Sequence, residues 1–151
     1  MIKKYLAKGT SETKRLGQKL AQKILSASIK KRTFVVALEG DLGGGKTTFL
    51  QGFAKGLGIR QKILSPTFVI MRKFRIKNSK FAHFYHFDCY RVNAPKEILD
   101  IGFRKIVAGP GNIVAIEWAD RIKRIIPKEA IFIDFEFVDK NKRRIVIKSR
   151  L

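Results

Sequence analysis

The stretch "GDLGGGKTT", Gly40 to Thr48, limits what this chain can fold into more than any other. Gly40 to Thr47 satisfies the spacing G-x-x-x-x-G-K-[ST], and its flanks supply the matching context. Upstream, "TFVVALE" (Thr33 to Glu39) is an unbroken β-branched and aromatic run, which predicts a strand covered on both faces. Downstream, Phe49, Leu50, Phe53, Ala54 and Leu57 form one helical stripe, which Gly56 and Gly58 interrupt. A strand, a glycine loop and a helix in this order make a phosphate cradle. Gly43, Gly44 and Gly45 let successive backbone N–H groups turn inward without Cβ clashes, and the helix presents its positive end to the same charge. Lys46 then neutralises the outer phosphates of a nucleotide, and the Thr47 hydroxyl is suited to Mg²⁺.

At 151 residues the chain suits one domain, 1–151, that buries roughly 70% of its unfolded surface. Its bulk peculiarity is charge: 33 Lys and Arg against 12 Asp and Glu leave +21. Such a field draws polyanions, and nucleic acid is the obvious one. The cations are spread over most segments, however, so charge alone leaves open whether it marks an RNA surface or a compositional habit. Cys89 is the single cysteine, which excludes an internal disulfide and a cysteine-rich zinc site and fits a reducing compartment. No apolar run approaches the roughly 20 residues of a membrane span. A soluble, cytoplasmic protein is expected.

The remaining elements are read from periodicity. "TSETKRLGQKLAQKILSAS" predicts an amphipathic helix capped at Thr10 or Ser11, with Glu12 in its first turn and Leu16, Leu20 and Ile24 along one face. "PTFVIMRKFRI" and "KFAHFYHFDCY" around "KNSK" predict a hairpin from about Thr67 to Asp88. "PKEILDIGF" places proline at a first helical position, and "NIVAIEW" is a buried strand ending at Glu117 and Trp118. "AIFIDFEFVDKNKRRIVIKS" predicts a last hairpin turning at Asp139 to Lys142. The expected fold is a single-domain α/β, P-loop NTPase-like one, with a central mixed sheet flanked by helices.

Hydrolysis needs an acid beyond the loop. Glu117 is the first candidate, because a carboxylate at the end of a buried strand is where such folds hold metal or water. Asp88 is the second. His83, His86 and Asp88 invite a metal reading, but no further ligand stands at useful spacing. In a strand His86 and Asp88 share a face, which makes a polar edge beside the phosphates the better reading. Arg91 either pairs with a carboxylate, reaches phosphate or sits on the surface. Thr67, behind Ser65 and Pro66, suits a loop that senses the terminal phosphate. Trp118, by residue type, is a core or interface aromatic.

Together "GDLGGGKTTF", "SPTF", "HFDCYR" and "VAIEWADR", in this order, resemble the TsaE (YjeE) family. The resemblance spans most of the chain. It implies a small P-loop ATPase acting with TsaD and TsaB proteins to form threonylcarbamoyladenosine next to the tRNA anticodon, with TsaD carrying out the transfer. By resemblance, Gly43 to Thr48 cradle ATP, Thr47 and Glu117 serve Mg²⁺, and Asp88 assists hydrolysis. Thr67 matches the switch threonine, and Trp118 the aromatic beside the acid. Thr10 and Ser11 fall on the adenine side, and Lys142 or Arg143 of the last hairpin approaches the nucleotide. Gly44 stands where the family commonly has alanine, at some expected cost in loop order. Which of Asp88 and Glu117 positions the attacking water stays open. Two other readings are a small-molecule or nucleoside kinase, and a basic tRNA-binding module with incidental ATPase activity. The hairpin that fills the span from Thr67 to Asp88 argues against the acceptor pocket and lid of a kinase.

Overall fold

The computed structural model describes residues 1–28, 32–64 and 69–151. In chain order its elements are β1 (Ile2–Lys8), α1 (Gly9–Ser26), β2 (Phe34–Gly40), α2 (Lys46–Gly56), β3 (Met71–Arg75) and β4 (His83–Asp88). Then come α3 (Pro95–Leu99), α4 (Phe103–Ala108), β5 (Asn112–Glu117), a 3₁₀ segment (Ala119–Ile125), β6 (Ile131–Asp139) and β7 (Lys142–Lys148). The strands form one seven-stranded sheet in the order β1-β7-β6-β2-β5-β4-β3. β2 runs parallel to β5 and β6, and β4 parallel to β5, while β1, β3 and β7 join antiparallel, so the sheet is mixed as expected.

Alternation within the strands sends side chains to two cores. Val36, Leu38, Phe84, Ile113 and Ile133 meet Ile24, Phe49 and Phe53 of α1 and α2 on one face. Val35, Ala37, Phe87, Val114 and Ile116 meet Ile98, Phe103 and Ile122 on the other. β2, β4 and β5 are buried on both faces, which explains the unbroken apolar runs of β2 and β5. No described helix is long and apolar enough to cross a membrane.

α1 and α2 approach so closely that backbone touches backbone. A Cβ built at Gly17 falls 2.1 Å from the Phe49 carbonyl oxygen, and one at Gly52 falls 1.9 Å from that of Lys14. We expect Gly52→Ala to force the pair apart, costing about 2–3 kcal/mol and about 5–10 °C of Tm. A thermal melt checks this. An unchanged Tm would show that the two helices can separate without loss.

The structure corrects the sequence reading at three places. β1 is a strand that the periodicity does not predict. α1 starts at Gly9, where a φ of 80° turns the chain out of β1. Neither Thr10 nor Ser11 caps it; instead the Lys8 N–H donates to Glu12 Oε2 at 2.6 Å. The "PKEILDIGF" segment splits into α3 and α4 around Gly102, whose φ is 91°. The hairpin is present as β3 and β4, but its expected start at Thr67 lies outside the described residues.

Candidate functional site

β2, β5 and β4 end side by side, with Glu117 opposite Leu38 on one flank and opposite Asp88 on the other. At this carboxyl edge β2 runs into the glycine loop, the position where open α/β sheets hold ligands. A cleft of about 500 Å³ opens there, lined by the loop, the start of α1, Glu117, Trp118 and the tip of the last hairpin.

The loop has the conformations its composition predicts. Gly43 has φ 74° and Gly45 φ 101°, values that side-chain-bearing residues rarely adopt. Gly44 turns on contact rather than on φ. A Cβ there would sit 2.8 Å from the Asp41 carbonyl oxygen and 3.1 Å from Phe135 Cβ. In this chain glycine therefore fits the close packing of loop against β6. The Gly44 N–H donates to Asp41 O at 2.9 Å and closes the turn.

Helix α2 has no side-chain cap at Gly45, and its first closed bond runs from Phe49 N to Gly45 O. The N–H groups of Lys46, Thr47 and Thr48 thus lack intrahelical partners, and all three residues line the cleft. Lys46 is buried. Its Nζ donates to Gly40 O at 2.7 Å and Asp41 O at 2.8 Å and lies 4.1 Å from the centre of the Trp118 ring. Burial lowers its pKa below the usual 10.5, and the opposing carboxylates Glu117, Asp120, Asp41 and Asp88 offset part of that. An anion entering the cleft would meet a poorly hydrated cation.

Thr47 and Glu117 are joined directly: the Thr47 hydroxyl donates to Glu117 Oε1 at 2.8 Å. The other carboxylate oxygen, Oε2, is 2.7 Å from His86 Nε2, and His86 and Glu117 are both almost fully buried. His86 Nδ1 has no hydrogen-bond partner among the described residues. This favours the tautomer whose proton sits on Nε2 and is donated to Glu117, because a buried orphan N–H costs more than a buried lone pair. His86 and Asp88 do share a face, whereas His83 belongs to the opposite one, so the three do not converge. Among the described residues no cluster of three or more His, Cys, Asp or Glu could hold a metal ion. A hydroxyl with one carboxylate fits Mg²⁺, which takes few protein ligands and fills its sphere with phosphate and water. Asp88 is buried, and its Oδ1 accepts the Tyr90 N–H at 3.0 Å.

Trp118 is the single non-glycine residue with positive φ among the described residues, at 56°. The turn throws its ring off the end of β5, where it packs against Tyr90 at 5.0 Å and over Lys46. It is a cleft wall, and local backbone strain at such a place is typical of functional sites. On the far wall Arg143 Nε donates to Gly43 O at 2.7 Å, so of the two hairpin cations it is Arg143 that reaches the loop. Lys142 instead pairs with Asp139 at 3.8 Å. Thr10 lines the cleft and Ser11 does not; Thr13, one turn on, takes its place. Thr67 lies outside the described residues. Lys140 and Asn141 also line the cleft and had no signal in the sequence beyond sitting in a polar turn. Cys89 is buried, and burial, with Asp88 beside it, pushes its thiol up to about 12, away from the thiolate form that reacts.

Comparison with known proteins gives one answer. A family model described as threonylcarbamoyl adenosine biosynthesis protein TsaE matches residues 7–145. A Rickettsia felis protein named tRNA threonylcarbamoyladenosine biosynthesis protein TsaE is 37% identical over 133 residues, covering 87% of this chain and 71% of the relative. A Bacillus subtilis protein of the same name is 38% identical over 125 residues, covering 83% and 75%. The crystal structure of Bacillus subtilis YdiB superposes with a TM-score of 0.77 at 30% identity, covering 99% of this chain and 86% of that one. The glycine loop, the paired strand-end acids and the wall tryptophan thus sit in a sequence that is similar to these proteins over most of its length, and the chain belongs to the TsaE family.

Proposed function

We propose that this chain, a TsaE-family member in tRNA threonylcarbamoyladenosine biosynthesis, binds ATP with Mg²⁺ in the cleft and hydrolyses it to drive a TsaD–TsaB assembly. TsaD, not this chain, then transfers the threonylcarbamoyl group, and the work is done in the cytoplasm. The observation that carries the reading is convergence. An uncapped helix start, a desolvated ammonium and a hydroxyl-carboxylate pair meet in one cleft of about 500 Å³.

Each residue has a task that its position dictates. The N–H groups of Lys46, Thr47 and Thr48 bind phosphate oxygens, and the loop glycines let those oxygens come close. Lys46 moves its ammonium from the Gly40 and Asp41 carbonyls onto the outer phosphates. Mg²⁺, when bound, neutralises phosphate charge and polarises the bond to be broken. Thr47 and Glu117 would hold it, with His86 fixing the Glu117 carboxylate from behind. Asp88, next to Glu117 across the ladder, orients the attacking water or is placed to share that task. Thr10, Thr13 and the hairpin tip wall the side away from the acids.

Arg143 is already held by the loop carbonyl of Gly43 and by the carbonyls of Asp139 and Lys142. The missing transition-state element is then supplied in trans by a partner or by ordering of a loop, which makes turnover slow in isolation. With TsaD, TsaB and tRNA added, we expect ATP hydrolysis to rise by at least about tenfold, as when a charge is supplied in trans. Phosphate release measured with and without the partners tests this. Equal rates would remove the coupling from the proposal.

A further inference from the structure

The position of the carboxylates, more than that of the cations, singles out one surface. Residues 1–87 carry 19 Lys and Arg but only Glu12, Glu39 and Asp41, whereas residues 88–151 carry 14 against 9. From Leu42 to Phe87 there is no Asp or Glu and there are nine Lys and Arg. Among the described residues, no Lys or Arg between residues 13 and 87 is in an ion pair; the cationic partners are Lys96, Lys123, Lys142, Arg144 and Lys148. The fold gathers part of this acid-free sequence into a groove of about 660 Å³ between α1, the C-terminal end of α2 and the loop behind it. Lys14, Lys55, Arg60 and Lys62 line it, together with Gln51 and Gln61. All four cations are exposed.

A helix C-terminus ordinarily offers carbonyls that disfavour an anion. Here three of the last four are taken. Leu57 N donates to the Phe53 and Ala54 carbonyls, Gly58 N to that of Lys55 and Ile59 N to that of Ala54. The Gln51 amide further ties α2 to the loop by donating to Ile63 O at 3.2 Å. The groove presents to solvent positive charge and amide groups, with no carboxylate among its described lining residues. The same segment continues into the edge strand β3, where Arg72, Lys73, Arg75 and Lys77 stand within six residues.

We propose that this groove binds the sugar-phosphate backbone of the tRNA directly. The inference rests on the chain's place in tRNA threonylcarbamoyladenosine biosynthesis, which supplies the polyanion. It does not need the ATPase reading. α2 links the two sites, because its first residues line the nucleotide cleft and its last turn lines the groove.

Unmodified tRNA transcript is titrated onto the full chain by filter binding between about 50 and 200 mM salt. The variants are the triple Lys55→Glu/Arg60→Glu/Lys62→Glu and a control of equal charge change, Lys96→Glu/Lys128→Glu/Lys148→Glu. The groove triple should bind at least about tenfold more weakly, with a slope of log affinity against log salt flatter by about two. The control should stay within about twofold. A neutral triple, Lys55→Gln/Arg60→Gln/Lys62→Gln, should fall between and guards against misfolding of the reversed one. Equal losses in both reversed triples would mean that net charge alone acts, and would overturn the proposal. So would unchanged tRNA binding by the groove triple, including the case in which it loses TsaD–TsaB binding instead, which would make the groove a protein surface. Phosphate release by the groove triple alone should equal that of the wild type, and Lys46→Ala should keep its tRNA affinity. Failure of the ATPase reading is thereby told apart from failure of this one.

Discussion

Lys46→Ala is expected to lower ATP turnover by at least about 100-fold, the scale of loss when a preorganised charge is removed from a phosphoryl or acyl transition state. The fold should survive. Lys46 is the first residue of α2, alanine is tolerated there, and the two carbonyls it releases belong to half-buried Gly40 and exposed Asp41. The single tryptophan gives a second readout, because the ammonium sits 4.1 Å from the Trp118 ring. Nucleotide binding pulls that charge away, so wild-type emission should change on adding ATP, whereas the Lys46→Ala emission should start displaced and respond little. An ATP response of wild-type size in the variant would show that Lys46 does not move between carbonyls and phosphates.

Glu117 offers the second large effect, and two substitutions separate its roles. Glu117→Gln keeps the side chain's shape and its links to Thr47 and His86 while removing the charge. Its melting temperature should stay close to wild type, and its turnover should fall by about 100-fold or more at any Mg²⁺ concentration. Glu117→Ala strands the His86 imidazole, whose Nδ1 lacks a partner among the described residues, in a buried site. That adds a stability loss of about 2–4 kcal/mol to the loss of turnover. Calorimetry and Mg²⁺-dependent phosphate release on both variants check the pair of outcomes. Full activity in Glu117→Gln would remove Glu117 from the metal's surroundings. Asp88→Ala in the same assay shows which of the two neighbouring acids the water depends on.

The central architecture is legible in the chain because its strands are buried on both sides. Val35 to Leu38 and Ile113 to Ile116 are runs that allow few other assignments, and the glycine motif dictates a loop and a helix after β2. β1 is illegible for the opposite physical reason. Only Ala7 of its seven residues is buried, so "IKKYLAK" carries no alternation strong enough to mark a strand. At the site, Lys46, Thr47, Glu117 and Trp118 can be named from the chain because their types and motif positions are chemically restrictive. Thr13, Lys140 and Asn141 cannot, since they enter the cleft through the meeting of α1 with a distant hairpin. The His86 to Glu117 bond, across 31 residues, is likewise a product of strand register. Gly44 is the instructive correction. By residue type it is a flexible substitute for alanine, whereas the contacts of its missing Cβ make it a matter of fit against β6.

The pairing of β1 with β7 sets a rule for the order of assembly. β1 has no neighbour except β7, and the Gly9 N–H that begins α1 donates to the carbonyl of Asn141 at 2.7 Å. One wall of the nucleotide cleft is therefore stitched from residues more than 130 positions apart. During synthesis the glycine loop and α2 leave the ribosome long before the strand that completes their surroundings. A nascent chain that stops short of β7 holds the whole glycine-loop motif yet lacks the hairpin wall of the cleft.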